Sequence, residues 1–399
     1  FIKTIIKLKK FERDIEGKNI AIIGMGVSNL PLLDYLTKFT SKITVFDQKN
    51  EEDMKPEIIK KVKDSNVNLI TGKDALKKLI GFDIIFRSPS CRPDTEEIVK
   101  EIQRGAILTS EIEMVLKLCP GKIIGEPGTE GKTTTTSLIY AIVKESGKKC
   151  FLGGNIGKPI FAQIKDMSEE DIIVLELSSF QLMNVVNSPE IAVVTNIYPD
   201  HLNVHKSYEE YRETKENIFK YQNEKGRTVL NYDNEYTREF SKHCNGKVIF
   251  FSSKEKLDNG YIYDNSDETI KYCEDGVRRH IIKKSDIKLR GIHNYENICA
   301  ALAATSGLVD VDTQVKAIKE FTGVEHRLEF VKEINGVKYY NDSIGTSPAS
   351  TIAGLKSFSE NIILLAGGSD KGLDYDEIGE VIAQKVGTLI LTGPTSYLT

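Results

Sequence analysis

The sequence lacks the marks of several protein classes. No stretch approaches the run of about 18 uncharged apolar residues that a membrane-spanning helix needs. The six cysteines are scattered, with neither a Cys-x-x-Cys pair nor a histidine at zinc-finger spacing, so we expect reduced thiols in a cytoplasmic protein. A formal net charge of −4 lacks the strongly basic footprint of general nucleic-acid binding, and any anion site must therefore be local.

The two ends of the sequence carry little structural signal. The apolar run at the start is short and interrupted by lysines, so we expect neither a signal peptide nor a membrane anchor. The first residue is Phe rather than Met, and the last segment stops directly after a strand-like run. We therefore expect both ends to be incomplete.

The length and the alternation of apolar runs with helical patterns predict an α/β protein of three domains. At 399 residues the chain is too long for one ordinary core. A β-α-β pattern opens the chain, and a Pro-Gly breaker follows at residues 120–121. Polar alternation from about residue 254 to 288 predicts antiparallel hairpins, and hence a mixed sheet. The predicted domains are residues 1–118, Rossmann-like; 119–322, P-loop-like with a mixed sheet; and 323–399, α/β and truncated.

A first glycine turn follows the first predicted strand. "GMGVSN" places Gly24 and Gly26 after that strand, and Asp47 ends the next strand. This nearly matches the dinucleotide fingerprint, but Asn29 stands in the place of the third glycine. The pattern therefore predicts a strand-turn-helix whose backbone amides can hold a nucleotide-like anion, with Asp47 available for a polar contact.

A second glycine turn, within residues 123–136 ("IIGEPGTEGKTTTT"), indicates a phosphate site. The strict P-loop motif requires glycine at position 126, where this chain has Glu126. What remains is the stretch from Gly128 to Thr133, which follows a strand and opens a helix, an arrangement that points backbone amides at phosphate. Lys132 would neutralise phosphate charge and Thr133 would offer a hydroxyl to Mg²⁺. The alternative is a capped helix after a glycine turn, without a ligand.

Further polar residues follow later strands of the central segment. Glu176 ends an apolar strand, where a buried carboxylate would need a cation. Asp200 and His201 end another strand, and Lys215 lies on a predicted helix. Each alone could be a capping or surface residue. Together they predict a ligand cleft at the carboxyl ends of parallel strands.

The chain resembles the Mur ligases, and within them the D-glutamate-adding MurD type. The match begins with the first glycine turn at residue 24 and extends to residue 372. After that turn, these motifs occur in the family's order: "GTEGKTTTT", "GGNIGKP", "ELSSFQL", "TNIYPDHLNVH", "YRETK", "GIHNYEN", "EHR", "NDSIGTSP" and "GGSDKG". "ELSSFQL" and "GGNIG" are specific to that type. The resemblance implies a UDP-binding first domain, a central ATPase domain and a third domain that closes over the amino acid.

The resemblance also implies roles for individual residues. Glu176, His201, Lys215 and Thr133 would hold Mg²⁺, with Lys215 carbamylated. The catalytic residues implied are Lys132, Lys215, His201 and Glu176. The ATP-binding residues implied are Gly128, Thr129, Gly131, Lys132, Thr133, Thr134, Asn294, Asn297, Arg327 and Asp342. The residues implied for the UDP-sugar substrate and D-glutamate are Gly26, Ser28, Asp47, Gln48, Asn155, Ser178, Thr346 and Lys371.

The sequence departs from the family's pattern at three places. Glu126 and Glu130 put two negative charges beside the phosphate loop, and Pro127 removes one backbone N–H. We expect both glutamate side chains to turn outward, because backbone amides form such a loop. Ile344 stands where the family usually has lysine, and the chain stops at Thr399, before two residues that normally help to hold D-glutamate.

The resulting functional prediction is ATP-dependent ligation of D-glutamate to UDP-N-acetylmuramoyl-L-alanine through an acyl phosphate, in peptidoglycan precursor synthesis. Two alternatives stay open: a folylpolyglutamate-synthase-like ligase, and a non-catalytic protein that binds nucleotides or UDP-sugars. We expect ATP and Mg²⁺ as cofactors and the two small substrates as partners. We expect no nucleic acid or membrane partner, a monomer and a cytoplasmic location.

Overall fold

A computed structural model of the chain describes residues 2–26, 29–40, 42–201, 204–345, 347–368 and 375–394. The chain separates into two compact units. The first comprises Phe1–Gly128, Gly147–Thr228 and Glu239–Val248, and the second comprises Thr129–Ser146, Val229–Arg238 and Ile249–Thr399. The predicted domain boundaries after residues 118 and 322 remain predictions.

The first part of the chain is a parallel sheet flanked by helices. Its elements are α1 (Ile2–Ile15), β1 (Ile20–Ile23), α2 (Asn29–Leu36), β2 (Ile43–Asp47), α3 (Pro56–Asp64), β3 (Asn68–Thr71), β4 (Ile84–Arg87), α4 (Glu96–Gln103), β5 (Ile107–Thr109) and α5 (Glu111–Leu118). Among the described residues the strand order is β3-β2-β1-β4-β5, and every pair is parallel. This is the arrangement of a Rossmann-like sheet.

The burial of the two central strands explains this sheet. All residues of β1 and β4 are buried, as is typical of strands covered by helices on both faces. Ala21, Phe46 and Ile85 pack with Leu76 and Ile98 in one apolar cluster on one side of the sheet. The first glycine turn therefore follows a strand at the centre of the sheet, where its position is firmly supported.

The middle of the chain alternates strands and helices and then becomes antiparallel. Its elements are β6 (Lys122–Glu126), α6 (Lys132–Glu145), β7 (Cys150–Gly154), β8 (Ile172–Glu176), α7 (Ser179–Leu182), β9 (Ile191–Val194), α8 (Tyr208–Lys220), β10 (Arg227–Asn231), α9 (Glu235–Phe240), β11 (Lys247–Ser252), β12 (Gly260–Asp264), β13 (Thr269–Glu274), β14 (Val277–Lys283), α10 (Ile292–Thr305) and α11 (Val311–Glu320).

Within the first unit β6 lies between β8 and β9, and β7 pairs with the other edge of β8, all in parallel. Within the second unit β12 pairs in parallel with β11, whereas β13 pairs in antiparallel fashion with both β12 and β14. The predicted hairpins near residues 254–288 are therefore confirmed. The strands of this region form a mixed sheet, as the sequence predicts.

The last part of the chain contains β15 (Glu329–Ile334), β16 (Val337–Asn341), α12 (Pro348–Lys356), β17 (Ile362–Gly367), α13 (Asp376–Lys385) and β18 (Val386–Thr392). β15 and β16 form the predicted hairpin, and its turn residues Asn335 and Gly336 both have positive φ, of 51° and 79°. β17 and β18 are parallel. Ile352, Leu355 and Val381 of the two helices form a small core against them.

Among the residues that the structure describes, every helix is too short or insufficiently apolar to cross a membrane. The described cysteines are all free thiols, and Cys273 and Cys299 are buried. Burial strongly raises the pKa of the Cys299 thiol, so this side chain stays protonated and packs as a small apolar group.

Candidate active site

The second glycine turn begins where β6 ends, at Glu126. This residue is only 1% exposed. Its Oε1 accepts hydrogen bonds from the backbone N–H of Gly128 at 3.1 Å and from the hydroxyl of Thr195 at 2.9 Å. The expectation that Glu126 turns outward is therefore wrong. Because β6 continues through residue 126, the Glu126 side chain stays inside the protein. It binds the backbone N–H of Gly128, one of the donors that the sequence analysis predicts for phosphate.

Gly128 is required here by close approach rather than by its φ angle. A Cβ at this position would lie 2.0 Å from Thr195 Oγ1 and 2.6 Å from Glu126 Oε1. Real Cβ atoms do not approach other atoms so closely, so any other residue would push the loop away from β6. The loop is thus fitted tightly over Glu126 and Thr195.

Lys215 holds the same loop from another direction. It lies on the predicted helix, now α8, and is 2% exposed. Its Nζ donates to the carbonyl oxygens of Pro127 at 2.6 Å and Gly128 at 2.8 Å, and lies 4.6 Å from the centre of the Tyr211 ring. Lys215 therefore binds the loop's carbonyl groups, whereas Glu126 binds its N–H group.

The loop continues in the second unit at Thr129 and leads into α6. Gly131 precedes the helix with φ 80°, a left-handed conformation that favours glycine. Lys132 is the first residue of the helix, and its Nζ donates to the carbonyl oxygen of Thr129 at 2.7 Å. The N-terminus of a 14-residue helix with a lysine beside it has the chemistry of a phosphate site.

The predicted adenine contacts lie on α10, in the same unit. A Cβ on Gly131 would lie 2.4 Å from Asn297 Oδ1, so this asparagine packs directly against the turn. Asn297 donates to Asn294 Oδ1 at 3.3 Å, and Asn294 donates to the carbonyl oxygen of Arg290 at 2.6 Å. In the first turn of α6, Thr133 is half-buried and Thr134 is buried.

Glu176 ends β8 and lies in register with Glu126 of the neighbouring strand. It is 2% exposed, and its Oε1 accepts from the side-chain amide of Asn155 at 2.9 Å. The backbone N–H of Asn155 also donates to the carbonyl oxygen of Glu176. Within the described part of the chain, Glu176 Oε2 is buried without a hydrogen-bond partner. A buried carboxylate oxygen in this state fits a cation.

Ser178 and His201 lie near the same strand ends. The Ser178 hydroxyl caps α7 by accepting from the backbone N–H of Gln181, and Gln181 bonds back to the backbone N–H of Ser178. His201 follows β9 with φ 54°, an uncommon conformation for a non-glycine residue, and its imidazole is exposed. The Phe180 ring lies 4.9 Å from the His201 ring.

The predicted magnesium ligands belong to two different compact units. Among the described residues, no group of three or more His, Cys, Asp or Glu side chains is placed to hold a metal ion. Glu176, His201 and Lys215 belong to the first unit and Thr133 to the second. Their roles as ligands remain predictions.

The backbone of the first glycine turn is in contact with neighbouring side chains. Gly24 has φ 78°, and a Cβ there would lie 2.6 Å from Ser88 Oγ. Asn29 is buried, and its amide donates to the carbonyl oxygen of Gly24 at 2.7 Å. Asp47 Oδ2 accepts from the backbone N–H of Met25 at 3.3 Å.

The other residues predicted at the first turn are open to solvent. Gly26 and Gln48 are exposed, and Asp47, the last residue of β2, is half-buried. An exposed glycine backbone beside an aspartate and a glutamine offers hydrogen-bonding groups without positive charge. Such a surface suits a base or sugar better than a triphosphate.

Arg327 and Asp342 lie in the last part of the chain, and both are half-buried. Asp342 Oδ1 accepts from the backbone N–H of Leu328 at 3.0 Å, and burial raises the pKa of Asp342 while Arg327 opposes that change. Ile344 is 44% exposed. Ser28, Thr346 and Lys371 lie outside the described residues.

Two residues beside the predicted site residues were not identified from the sequence. Thr195, the hydrogen-bond donor to Glu126, directly follows β9, and its position at a strand end could have indicated it. His205 is 3% exposed, its Nε2 lies 2.9 Å from Ser179 Oγ, and burial lowers its pKa. No sequence pattern indicates that pair, because the two residues lie 26 positions apart.

Fold and site together define a class: an α/β protein with a lysine-bearing glycine turn of the kind that can bind phosphate. Three domain descriptions match the sequence in turn: the Mur ligase MurD-like N-terminal domain at residues 18–110, the Mur ligase middle domain at 127–305, and the Mur ligase glutamate ligase domain at 326–398. The chain belongs to the Mur ligase family.

Curated relatives share almost the whole chain. The UDP-N-acetylmuramoylalanine–D-glutamate ligase of Ruminiclostridium cellulolyticum is 47% identical over 98% of this chain and 83% of its own length. The ligase of that name from Acetivibrio thermocellus is also 47% identical, with the same coverage.

Solved structures support the same fold at lower identity. The UDP-N-acetylmuramate-alanine ligase of Thermotoga maritima is 18% identical, with a TM-score of 0.57 over 96% of this chain and 87% of that one. The MurF ligase of Thermotoga maritima, solved in complex with ADP, is 17% identical, with a TM-score of 0.55 and the same coverage. At these identities the likeness supports the fold alone.

Proposed function

We propose that the protein is an ATP-dependent amide-bond-forming ligase that joins D-glutamate to UDP-N-acetylmuramoyl-L-alanine in peptidoglycan precursor synthesis. The observation that carries this proposal is the 47% identity, over 98% of the chain, to ligases named for that reaction. The second glycine turn, with Lys132 at the start of α6, agrees with this proposal because the reaction consumes a nucleoside triphosphate.

ATP is needed because a carboxylate does not react with an amine at neutral pH. Transfer of the γ-phosphoryl group to the substrate carboxylate gives an acyl phosphate, and the amine of D-glutamate then displaces phosphate. Such a reaction requires positioning and charge neutralisation rather than a nucleophilic side chain. The site accordingly offers backbone amides, lysines and carboxylates.

The residues of the second unit fit a nucleotide. The first amides of α6 and the Lys132 ammonium would contact phosphate oxygens, and Lys132 would exchange its bond to the Thr129 carbonyl for one to phosphate. Asn294 and Asn297 would contact the adenine, and Asn297 is already fixed against Gly131. Arg327 and Asp342 would reach the nucleotide from the last part of the chain.

The residues at the strand ends of the first unit fit a divalent cation. Mg²⁺ would supply charge neutralisation for the transferred phosphoryl group. Glu176 would hold it through Oε2, the buried oxygen that has no hydrogen-bond partner among the described residues. His201 and Thr133 complete the proposed ligand set, together with Lys215.

A carbamate on Lys215 would change the contacts of that residue. Its ammonium group now donates to two carbonyl oxygens, those of Pro127 and Gly128. A carbamate keeps a single N–H group, so one of the two bonds would be lost and the loop would shift. We propose that carbamylation of Lys215 is accompanied by such a shift of the loop.

The UDP-sugar substrate would lie along Gly26, Asp47 and Gln48 at the first turn and reach Asn155 and Ser178. Ser28 completes the first group, and Thr346 and Lys371 would meet D-glutamate; these three lie outside the described residues. We further propose domains at residues 1–118, 119–322 and 323–399, a monomer in the cytoplasm, and no nucleic-acid or membrane partner.

The test measures ADP released from ATP and Mg²⁺ by the purified protein. We expect release only when UDP-N-acetylmuramoyl-L-alanine and D-glutamate are both present, with L-glutamate as the matched control. Release with a folate substrate and L-glutamate would instead support a folylpolyglutamate-synthase-like ligase. Binding of the UDP-sugar or nucleotide without any turnover would support a non-catalytic protein.

A further inference from the structure

Arg87, the last residue of β4, is buried although it carries a charge. It is 1% exposed, and burial lowers the pKa of its guanidinium to about 10, which leaves it protonated at neutral pH. Its hydrogen-bond acceptors are neutral carbonyl and amide oxygens. Burying a charge is unfavourable unless its hydrogen bonds are well made, so the hydrogen bonds of this guanidinium are essential to its place in the fold.

The guanidinium joins two parts of the first unit. Nη1 donates to the carbonyl oxygen of Cys91 at 2.7 Å and to that of Ser88 at 3.1 Å. On its other side, Nη2 donates to the carbonyl oxygen of Phe180 at 2.5 Å and Nε to Asn184 Oδ1 at 2.6 Å. Arg87 therefore ties the segment after β4 to α7 and the residues that follow it.

Helix α7 depends on such support because it has only four residues. A helix this short is not stable by itself. Its N-terminus is fixed by the Ser178 cap, and the carbonyl oxygen of Phe180 within it is fixed by Arg87. The guanidinium thus determines where Ser178 and the Phe180 ring are placed.

The Phe180 ring extends this effect to the strand ends. It lies 4.9 Å from the His201 ring and stacks on the His205 ring at 5.5 Å. His201 is a proposed magnesium ligand, and Ser178 is a proposed substrate contact. Arg87 touches neither of them, yet it holds the helix that positions both.

On the opposite side Arg87 supports the first glycine turn. Ser88, whose carbonyl oxygen accepts from Arg87, leaves only 2.6 Å between its Oγ and a Cβ placed on Gly24. A cavity of about 10 Å³, room for one water molecule, is lined by Arg87 together with Asn29 of α2 and Gln181 of α7. Residues of α2, the helix that follows the first turn, and residues of α7 therefore both lie beside this guanidinium.

We propose that Arg87 is a positioning residue for the ligation reaction, because it fixes α7 and its Ser178 relative to the first glycine turn and so sets the spacing that the UDP-linked substrate must span. The proposal rests on the proposed function. The planar fork of arginine is essential to it, since three of its nitrogen atoms donate in different directions.

The test compares Arg87→Lys and Arg87→Met with the unmodified protein. Lysine keeps the charge but cannot bridge both sides. We expect the KM for UDP-N-acetylmuramoyl-L-alanine to rise at least about tenfold in Arg87→Lys, with the KM for ATP changed less than about threefold. Arg279→Met, which removes an exposed arginine of β14, is the matched control and should leave both constants unchanged. The proposal would be overturned if both KM values changed equally, or if neither changed.

Hydrogen exchange separates this inference from the proposed function. In Arg87→Lys we expect amides of residues 178–184 to exchange at least about tenfold faster than in the unmodified protein, while those of α8 keep their rates. This readout needs no turnover, so it stands even if the unmodified protein fails to ligate D-glutamate. Unchanged exchange in residues 178–184, or an equal increase in α8, would refute the positioning role. Arg87→Met, should it fold, is expected to show the same pattern.

Discussion

The two glycine turns share a backbone plan but use their side chains differently. Each follows a buried parallel strand and leads into a helix, and each has a left-handed glycine, Gly24 with φ 78° and Gly131 with φ 80°. In the first turn Asn29 and Asp47 bond to the turn's own backbone. In the second turn, Lys132 is the first residue of the helix, while the buried side chains of Glu126 and Lys215 form hydrogen bonds with the loop backbone.

This difference explains how one backbone arrangement could serve the two proposed ligands. A turn whose backbone is already satisfied by Asn29 and Asp47 is rigid and carries no basic side chain among its described residues. It suits an uncharged ligand group that is recognised by hydrogen bonds. A turn with a lysine at the N-terminus of a helix suits phosphate. Glycine spacing alone does not distinguish the two cases; the charges around the turn do.

The largest effect is expected at Lys132. Lys132→Ala should reduce ATP turnover by at least about a hundredfold, because phosphoryl transfer depends on the neutralisation of phosphate charge, while the fold stays intact. Lys144→Ala, an exposed lysine at the other end of α6, is the matched control. ADP release and a thermal melt measure both. Substantial remaining turnover would mean that the second turn, like the first, is not a phosphate site.

Lys215→Ala should be nearly as damaging, with a loss of about a hundredfold, because it removes both a proposed magnesium ligand and two bonds to the loop. Added bicarbonate should not restore activity, whereas small carboxylic acids should restore part of it by occupying the place of the carbamate. Lys220→Ala, an exposed lysine on the same helix, serves as control. A fully active Lys215→Ala protein would rule the carbamate out.

Paired glycine substitutions test whether the two turns act separately. Gly131→Ala places a Cβ 2.4 Å from Asn297 Oδ1 in a left-handed conformation, and should weaken ATP binding by about tenfold or more. Gly24→Ala places a Cβ 2.6 Å from Ser88 Oγ, and should instead weaken binding of the UDP-sugar substrate by a similar factor. Calorimetric titration of each variant with each ligand should show that Gly131→Ala loses affinity mainly for ATP and Gly24→Ala mainly for the UDP-sugar substrate. Equal losses for both ligands in either variant would contradict it.

Sequence reasoning reached most of the fold because strand alternation and turn residues are local signals. The hairpin at Asn335 and Gly336 and the parallel strands of the first sheet are such cases. It failed at Glu126, where a motif argument treated the residue as part of the loop although β6 runs through it. It could not find the partners of Arg87 either, because Phe180 and Asn184 lie more than 90 positions away in sequence. Contacts over such distances depend on packing, which no local pattern encodes.

The smallest expected effect concerns the two acidic residues of the second turn. Two unit charges about 6 Å apart interact by roughly 1 to 3 kcal/mol at effective dielectric constants of about 60 to 20, so a carboxylate facing phosphate would cost up to about a hundredfold in affinity. Glu126 is buried, and its Oε1 binds Thr195 and the Gly128 N–H. Glu130 is half-buried, and its Oε1 lies 3.5 Å from Ser347 Oγ.

The double change Glu126→Val, Glu130→Asn removes both charges and releases the Gly128 N–H for phosphate, but it also removes the acceptor that holds the loop to β6. These effects oppose each other, so we expect ATP to bind less than about tenfold more tightly, under roughly 1.4 kcal/mol. Glu126→Gln, which keeps an acceptor oxygen without the charge, separates the electrostatic part from the hydrogen bond. Calorimetric titration with ATP and Mg²⁺ decides the matter. A gain of about a hundredfold or more in the double variant would mean that the second turn, as this chain carries it, is a poor phosphate site.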